Sequence, residues 1–414
     1  GYAMNDYVGK SGLEQNLEEL LKGKKGERKI TFTDGNPNEG EIVTESEPGR
    51  TIKLTVKNDF QRDIQSVLET HIQNLKSSNP SKFNQTDCGA LVVLDVKTGA
   101  VLALATTPTY LLTDYADKYD ELLVREGNPL VNRATDGAYR PGSTFKPVTA
   151  TAGLCENFIN KNTSFVCHRN YNYLGTVVHC TGYHNSIAVS RAITVSCNIF
   201  FYELGRRMGI DVISNYASHY GFGQSLGLES GDSSGYIANP ETFAKHGWEW
   251  NSGLTLQAAI GQSEIAATPL QMATEALTIA NRGTRLKPHL VDTVYDYNMT
   301  EVISKKEPEI AEVIEVPYEE VYDYIWDGMK GAARNTPAGE FSLNGLGYEV
   351  AIKTGTPQSS HKNGENSAVI GFAPVNDPQI AVAGIIEGGA NAKYMVRKVL
   401  DAYTNRYGGF QPSE

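Results

Sequence analysis

Gly137-Ala138-Tyr139-Arg140-Pro141-Gly142-Ser143-Thr144-Phe145-Lys146-Pro147 is the stretch around which the rest of the chain can be arranged. Pro141 and Gly142 read as loop. The apolar run Phe145, Val148, Ala152, Leu154 and Cys155 then predicts a buried helix opening at Ser143. On that helix Ser143 and Lys146 are three residues apart, so they share a face and their functional atoms can meet. A serine hydroxyl is a poor nucleophile at neutral pH. An amine beside it can act as its base once burial or a second cation lowers the amine pKa. The helix N-terminus also favours negative charge developing near Ser143.

Ser-x-x-Lys alone carries little weight, because a chain of this length should contain about one or two by composition. A second copy, Ser359-Ser360-His361-Lys362, sits in a polar loop. The first copy gains its weight from two partners placed after it in order: Ser196-Cys197-Asn198, then Lys353-Thr354-Gly355-Thr356. Other partial matches lack the order or the setting. Lys97-Thr98-Gly99 precedes Ser143 and reads as a hairpin turn, Ser77-Ser78-Asn79 ends a helix, and Ser342-Leu343-Asn344 lies in a Gly-rich loop. The ordered trio Ser-x-x-Lys, Ser-x-Asn, Lys-Thr-Gly is the signature shared by penicillin-binding proteins and class A β-lactamases.

The chain has 414 residues, enough for two or three domains. Its 40% hydrophobic and 21% charged content is that of an ordinary globular protein. The net charge of −11, with no basic stripe, argues against nucleic acid as a partner. No run of 18 apolar residues predicts a membrane span. Residues 1–48 are polar and Gly/Glu-rich, with a short helix over Gly12–Leu21 and strands near Lys29–Thr33 and Glu41–Thr44. They look too sparse for a core of their own and read as the remnant of a larger non-catalytic module, leaving 49–414 as the main domain.

From Thr51 the texture changes. Ile52-Leu54-Val56 alternates as a strand, and Phe60, Ile64, Val67, Leu68, Ile72 and Leu75 mark one face of an amphipathic helix. Ala90–Val96 and Ala100–Ala105 predict a hairpin, and Thr109–Asn132 a polar connection. Helices are expected at Pro269–Ala280, Val321–Ala333 and Lys393–Tyr407, and strands at Tyr348–Thr356, Ala368–Val375 and Gln379–Glu387. This order predicts an α+β fold: an antiparallel five-stranded sheet completed by both ends of the domain and covered by helices. An extended peptide could pair with the edge of the strand that ends in Lys353–Thr356.

Residues 49–414 resemble the transpeptidase domain of class B penicillin-binding proteins. Besides the three motifs, Tyr139–Ser143, Thr98–Ala103, Thr268–Ala273 and Ile370–Pro374 are similar to family signatures, and Gly9–Glu14 is similar to the entry of the family's N-terminal pedestal. The pattern resembles the elongation type, whose members partner a polytopic membrane glycosyltransferase. The resemblance implies a penicillin-binding protein or serine β-lactamase-like fold and a D,D-transpeptidase that cross-links peptidoglycan stem peptides from a lipid-linked precursor. It implies inhibition by β-lactams and a place on the extracytoplasmic face of the cell membrane, held by one N-terminal transmembrane anchor not among these residues. Carried over by motif, Ser143 is the nucleophile and Lys146 its base, held neutral partly by Lys353. Ser196 relays a proton to the leaving amine, and Asn198 binds the substrate amide and Lys146. Lys353, Thr354 and Thr356 bind the terminal carboxylate, Gly355 lets backbone approach substrate, and the N–H groups of Ser143 and Thr356 form the oxyanion hole. The acyl transfer itself implies no cofactor.

Five cysteines, Cys88, Cys155, Cys167, Cys180 and Cys197, leave at least one unpaired. Cys167, Cys180, His184 and Cys197 form a Cys3His set of the kind that closes a tetrahedral structural zinc site. Cys197 lies between Ser196 and Asn198, so a metal there would pin the second motif. Some elongation-type relatives are similar in carrying zinc beside the active site. A disulfide or plain buried thiols are the other readings, and His168 or His179 could replace a ligand. Cys88 and Cys155 read as structural.

A serine β-lactamase needs a base that activates water for deacylation. The Glu-x-x-x-Asn matches after Asn198, Glu340 with Asn344 and Glu387 with Asn391, stand in the wrong places for it. A D,D-carboxypeptidase would share every motif and use water as acceptor. A non-enzymatic β-lactam sensor would be expected to carry a signalling partner domain.

Overall fold

The runs Gly89–Asp95 (β1) and Val101–Thr107 (β2) are apolar enough to be buried on both faces, and they fold back on each other as an antiparallel pair. The structure, a computed structural model, describes residues 8–359 and 364–410. Lys97-Thr98-Gly99 is the turn between β1 and β2. Asp95 Oδ1 accepts hydrogen bonds there from Lys97 N, Thr98 N and Thr98 Oγ1 at 3.0, 2.8 and 2.8 Å. Three further strands, Ala351–Gly355 (β3), Ser367–Ala373 (β4) and Ile380–Ile386 (β5), complete one five-stranded antiparallel sheet in the order β3-β4-β5-β1-β2. All seven residues of β5, in the middle, are buried.

The longer helices are Asn58–Ser78 (α1), Lys146–Cys155 (α2), Asn198–His219 (α3), Pro269–Ala280 (α4), Val321–Arg334 (α5) and Lys393–Tyr407 (α6). On one face of the sheet, Phe60, Ile64, Leu68 and Ile72 of α1 join Met395, Val396, Val399 and Leu400 of α6 in a core with Leu91, Val93, Ile352, Val369 and Val382. The opposite face is covered by α4, every residue of which is buried. A capping box starts this helix: Thr268 Oγ1 accepts from Gln271 N, and Gln271 Oε1 accepts from Thr268 N. Gln271 Nε2 then donates to the carbonyls of Gly221, Gln224 and Ser234. Burying Leu270, Met272, Leu277 and Ile279 stabilises α4 by about 1.5–3 kcal/mol each. The α+β class and the sheet are those the sequence predicts.

Two local expectations change. The connection at Thr109–Asn132 carries two short helices, Leu112–Asp117 and Tyr119–Val124. The strand near Ile52 runs over Thr51–Leu54 and pairs with Val291–Tyr295, outside the five-stranded sheet. That pair belongs to the smaller of two compact units, which comprises Gly1–Thr55, Gly227–Gly231 and His289–Glu307. In it Val302–Lys305 adds a third strand beside Val291–Tyr295, and Glu27–Lys29 pairs with Glu41–Thr44. Glu229 Oε2 accepts from Leu290 N at 2.8 Å, fixing the return of the chain. The larger unit, Val56–Leu226, Asp232–Pro288 and Pro308–Glu414, contains the sheet and all three motifs.

Candidate active site

Ser143 lies in a single 3-10 turn, Gly142–Phe145, that leads straight into α2. In such a turn residues i and i+3 stack directly, so Ser143 and Lys146 lie one above the other. Gly142 takes φ 59°, and its N–H donates to Gly261 O at 2.8 Å. Thr144 Oγ1 closes the turn by donating to Pro141 O at 2.8 Å. Ser143 is half-buried, and among the described residues no hydrogen bond ends on its Oγ. Lys146 is fully buried.

Lys146 Nζ donates to Asn198 Oδ1 at 2.7 Å, to Ser196 O at 2.8 Å and to Ser196 Oγ at 3.1 Å. Lys353 Nζ, on β3, reaches the same Ser196 Oγ at 3.0 Å and Thr354 O at 2.8 Å. Ser196 therefore bridges two lysines that are far apart in the chain. It holds φ 54°, a left-handed conformation that costs a serine about 1–3 kcal/mol and persists only where the surroundings impose it. Gly355 brings the end of β3 against the Ser143 turn. A Cβ at Gly355 would lie 2.8 Å from Pro141 O and 3.2 Å from Thr144 Cγ2, so only glycine fits. Thr354 is half-buried and Thr356 is exposed at the mouth.

Burial pushes the Lys146 ammonium down to about 7, while Cys197 and Cys180 pull it up. Burial also lowers Lys353 far below the ordinary lysine value, and Lys146 adds to that effect. The main reason Lys146 can be neutral is thus desolvation, where the sequence analysis expects a share from Lys353. Glu275 of α4 partly offsets the loss at Lys353. Its own carboxyl is held well above the usual range by burial, and neither oxygen has a hydrogen-bond partner among the described residues.

Cys167, Cys180, His184 and Cys197 converge, their ligand atoms all within 4.8 Å of one another. Two hairpins bring them together: Ser164–Cys167 pairs with Asn185–Ala188, and Asn170–Tyr173 with Thr176–His179. The Sγ atoms of Cys180 and Cys197 are 3.8 Å apart, and His184 Nδ1 is 3.5 Å from the Sγ of both Cys167 and Cys180. All five cysteines are free thiols. A hydrogen bond from Cys197, with others from backbone N–H groups, holds Cys180 far below the usual thiol pKa, and the same pairing pushes Cys197 far up. His179 lies outside the cluster, its Nδ1 against Asn170 Oδ1 and its carbonyl accepting from Asn198 Nδ2 at 3.2 Å. His168 is exposed. Burial raises Cys88 and Cys155 to about 11, consistent with inert thiols.

The partial matches lie apart. Lys97 Nζ pairs with Asp377, and Asn79 caps the short helix Pro80–Phe83. Ser342 O accepts from Arg397 on α6, and Glu340 pairs with Lys398. The Ser359–Lys362 match extends outside the described residues. Sequence reasoning missed Gln262, whose Nε2 donates to Thr356 O at 3.4 Å and whose Oε1 accepts from Gln358 N at 3.3 Å. It also missed Glu275. For Glu275 a signal existed: it is the one ionisable side chain in a helix of otherwise uncharged, largely apolar residues.

The profile of the penicillin binding protein transpeptidase domain matches residues 89–403, and that of the penicillin-binding protein dimerisation domain matches residues 1–54. Peptidoglycan D,D-transpeptidase MrdA of Haemophilus influenzae is 31% identical over 444 residues, covering 98% of this chain and 64% of MrdA. The chain spans just under two thirds of the length of the curated relatives it matches. A chain of a peptidoglycan synthase complex, solved to show how polymerization and crosslinking are coordinated, superposes with a TM-score of 0.85 at 27% identity, over 100% of this chain and 72% of that one. PBP2 of Pseudomonas aeruginosa, solved in complex with WCK 5153, gives a TM-score of 0.78 at 26% identity, over 97% of this chain and 84% of that one. With its three motifs gathered around Ser196 and most of its length matched by one profile, the chain belongs to the penicillin-binding protein transpeptidase family.

Proposed function

We propose that the chain is the catalytic part of an elongation-type peptidoglycan D,D-transpeptidase, acting on stem peptides through a serine acyl-enzyme. The observation that carries the reading is Ser196 Oγ, held at once by Lys146 at 3.1 Å and Lys353 at 3.0 Å beside the Ser143 turn. Neutral Lys146 takes the Ser143 proton as the hydroxyl attacks the carbonyl between two terminal D-alanines. Ser196 passes a proton to the leaving amine, and Asn198, bonded to Lys146, orients the substrate amide. Lys353, Thr354 and Thr356 hold the terminal carboxylate, while Gly355 gives the donor strand its close approach. The N–H groups of Ser143 and Thr356 receive the oxyanion, each worth about 3–4 kcal/mol to the transition state. An amine from a second stem then takes the acyl group.

The cluster Cys167, Cys180, His184 and Cys197 fits zinc. Zinc–sulfur and zinc–nitrogen bonds of about 2.3 and 2.0–2.1 Å set tetrahedral edges of about 3.8 Å between sulfurs and about 3.5 Å from sulfur to nitrogen. Three of the six separations in this cluster are 3.8 Å for Cys180–Cys197 and 3.5 Å for His184 to two cysteines, and all six lie within 4.8 Å. An ion there would supply structural fixation of Cys197, and with it the backbone of the second motif. The stretch 1–48 is read as a remnant of the pedestal, supported by the dimerisation-domain match, with 49–414 as the catalytic domain. A glycosyltransferase partner is supported by the likeness to a chain of a peptidoglycan synthase complex, and the extracytoplasmic, membrane-anchored location rests on the family resemblance alone.

Intact-protein mass spectrometry after penicillin treatment tests the core of this reading. Wild type should gain one β-lactam mass and Ser143→Ala none; an adduct on Ser143→Ala, or none on wild type, overturns it.

A further inference from the structure

Glu275 is the buried carboxyl that the acyl-transfer steps leave unused. It has no exposed surface, and neither of its oxygens has a hydrogen-bond partner among the described residues. A carboxyl in that state lowers stability unless its charge serves a neighbour.

Strand register identifies the neighbour. Ile352 of β3 belongs to the core under α1 and α6, so Lys353, the next residue, points to the opposite face, which α4 covers. There Lys353 stands in a cross-strand row with Ile370, Ala383 and Val92, all apolar. Glu275 and Lys353 therefore lie on the same side of the sheet. The charges that act on Lys353 are those of Lys146 and Glu275, whereas Cys197 and Cys180 act on Lys146. The other titratable groups packed there, Tyr220 just past α3 and Tyr322 of α5, are phenols 3.2 Å apart that burial keeps uncharged.

The hydrogen bonds set a charge problem. Lys146 Nζ and Lys353 Nζ lie 3.1 and 3.0 Å from one oxygen, Ser196 Oγ, and both lysines are buried. Two ammonium groups so close repel each other strongly away from water. Acylation needs Lys146 free as the base, while holding a terminal carboxylate needs Lys353 charged. A buried ammonium without a counter-ion gives up its proton. One carboxylate can balance one ammonium.

We propose that Glu275 is a positioning residue acting through Lys353: its carboxylate balances a single ammonium in the buried lysine pair and assigns that charge to Lys353, leaving Lys146 free. Carboxylic acid with amine, and carboxylate with ammonium, hold the same one proton. A substrate carboxylate arriving at Lys353 favours the second form. The O–H bond of Glu275 breaks, an N–H bond forms on Lys353, and the pair takes no proton from solvent. The inference rests on the transpeptidase reading.

Benzylpenicillin and its methyl ester differ in the carboxylate alone, so they separate the tasks of the two lysines. Acylation rate constants of the full chain are read by intact-protein mass spectrometry between about pH 6 and 9. The acid-to-ester ratio cancels the demand on Lys146, which both compounds share. In wild type this ratio should change little with pH. In Glu275→Gln it should fall at least about tenfold at pH 8 and recover as the pH is lowered, because Lys353 then draws its proton from solvent. Glu275→Met should lose the ratio in the same way even where its Tm rises, which separates loss of charge from loss of packing. A ratio equal to that of wild type in both variants, including one in which acid and ester slow together, overturns the assignment of Glu275. A wild type that forms no penicillin adduct overturns the transpeptidase reading instead.

Discussion

Lys146 is an amine with no exposed surface, bonded to Asn198 Oδ1, Ser196 O and Ser196 Oγ, and burial brings its pKa to about 7. That value sets the sign of the pH dependence. A general base works only when unprotonated, so a folded-state pKa near 7 leaves it mostly charged at pH 6 and mostly free at pH 8. The rate constant for acylation by a fluorescent penicillin should therefore rise with pH, through a midpoint near 7, and fall about tenfold per unit below it. A flat profile between pH 5.5 and 8 would falsify the assignment of Lys146 as base. Glu275 poses the opposite problem. It is a buried carboxyl with two unsatisfied oxygens, and removing such a group in favour of an apolar one is expected to stabilise by about 1–3 kcal/mol. Glu275→Met should raise Tm by a few degrees in calorimetry; a clear drop would mean that its attraction to Lys353 outweighs its desolvation.

At the scale of elements, the decisive contact is between the end of β3 and the turn that carries Ser143. Sequence could supply both halves of it, because Lys353-Thr354-Gly355 and Ser143-x-x-Lys146 are local patterns. It could not supply the contact, which depends on β3 being an edge strand whose glycine touches Pro141 O. Gly355→Ala should lower the acylation rate by at least about tenfold, since its Cβ would sit 2.8 Å from a backbone oxygen that cannot move without displacing Ser143. Stopped-flow acylation checks this, and a variant as fast as wild type would mean the turn is slack. The helix α1 was legible because its apolar face repeats at helical period, and α4 because Asn281-Arg282-Gly283 marks its end. The hairpins over Ser164–Ala188 were not: their strands are four residues long, mostly exposed, and alternate polar with apolar too briefly to register.

Over the whole molecule, the same weakly patterned hairpins decide where the second motif stands. The pair Ser164–Cys167 and Asn185–Ala188 has little apolar surface to hold it, with only Cys167, Phe165 and Ile187 buried. Cys180 Sγ accepts from Asn198 N at 3.2 Å, so whatever fixes the cysteines also fixes the start of α3 and the Asn198 side chain that meets Lys146. A bound zinc would supply the energy that apolar burial there does not, because metal affinity for a site formed only on folding adds to folding stability. The protein purified without chelators should contain about one equivalent of zinc by elemental analysis. Stripping it with a strong chelator should lower Tm and slow acylation by penicillin at least about tenfold, with both restored by zinc and not by magnesium. His184→Ala should reproduce the stripped state. Zinc well under half an equivalent, or acylation indifferent to its removal, would leave the cluster as three buried thiols beside His184, and the second motif would then have to be held by the strained Ser196 turn and the two lysines alone.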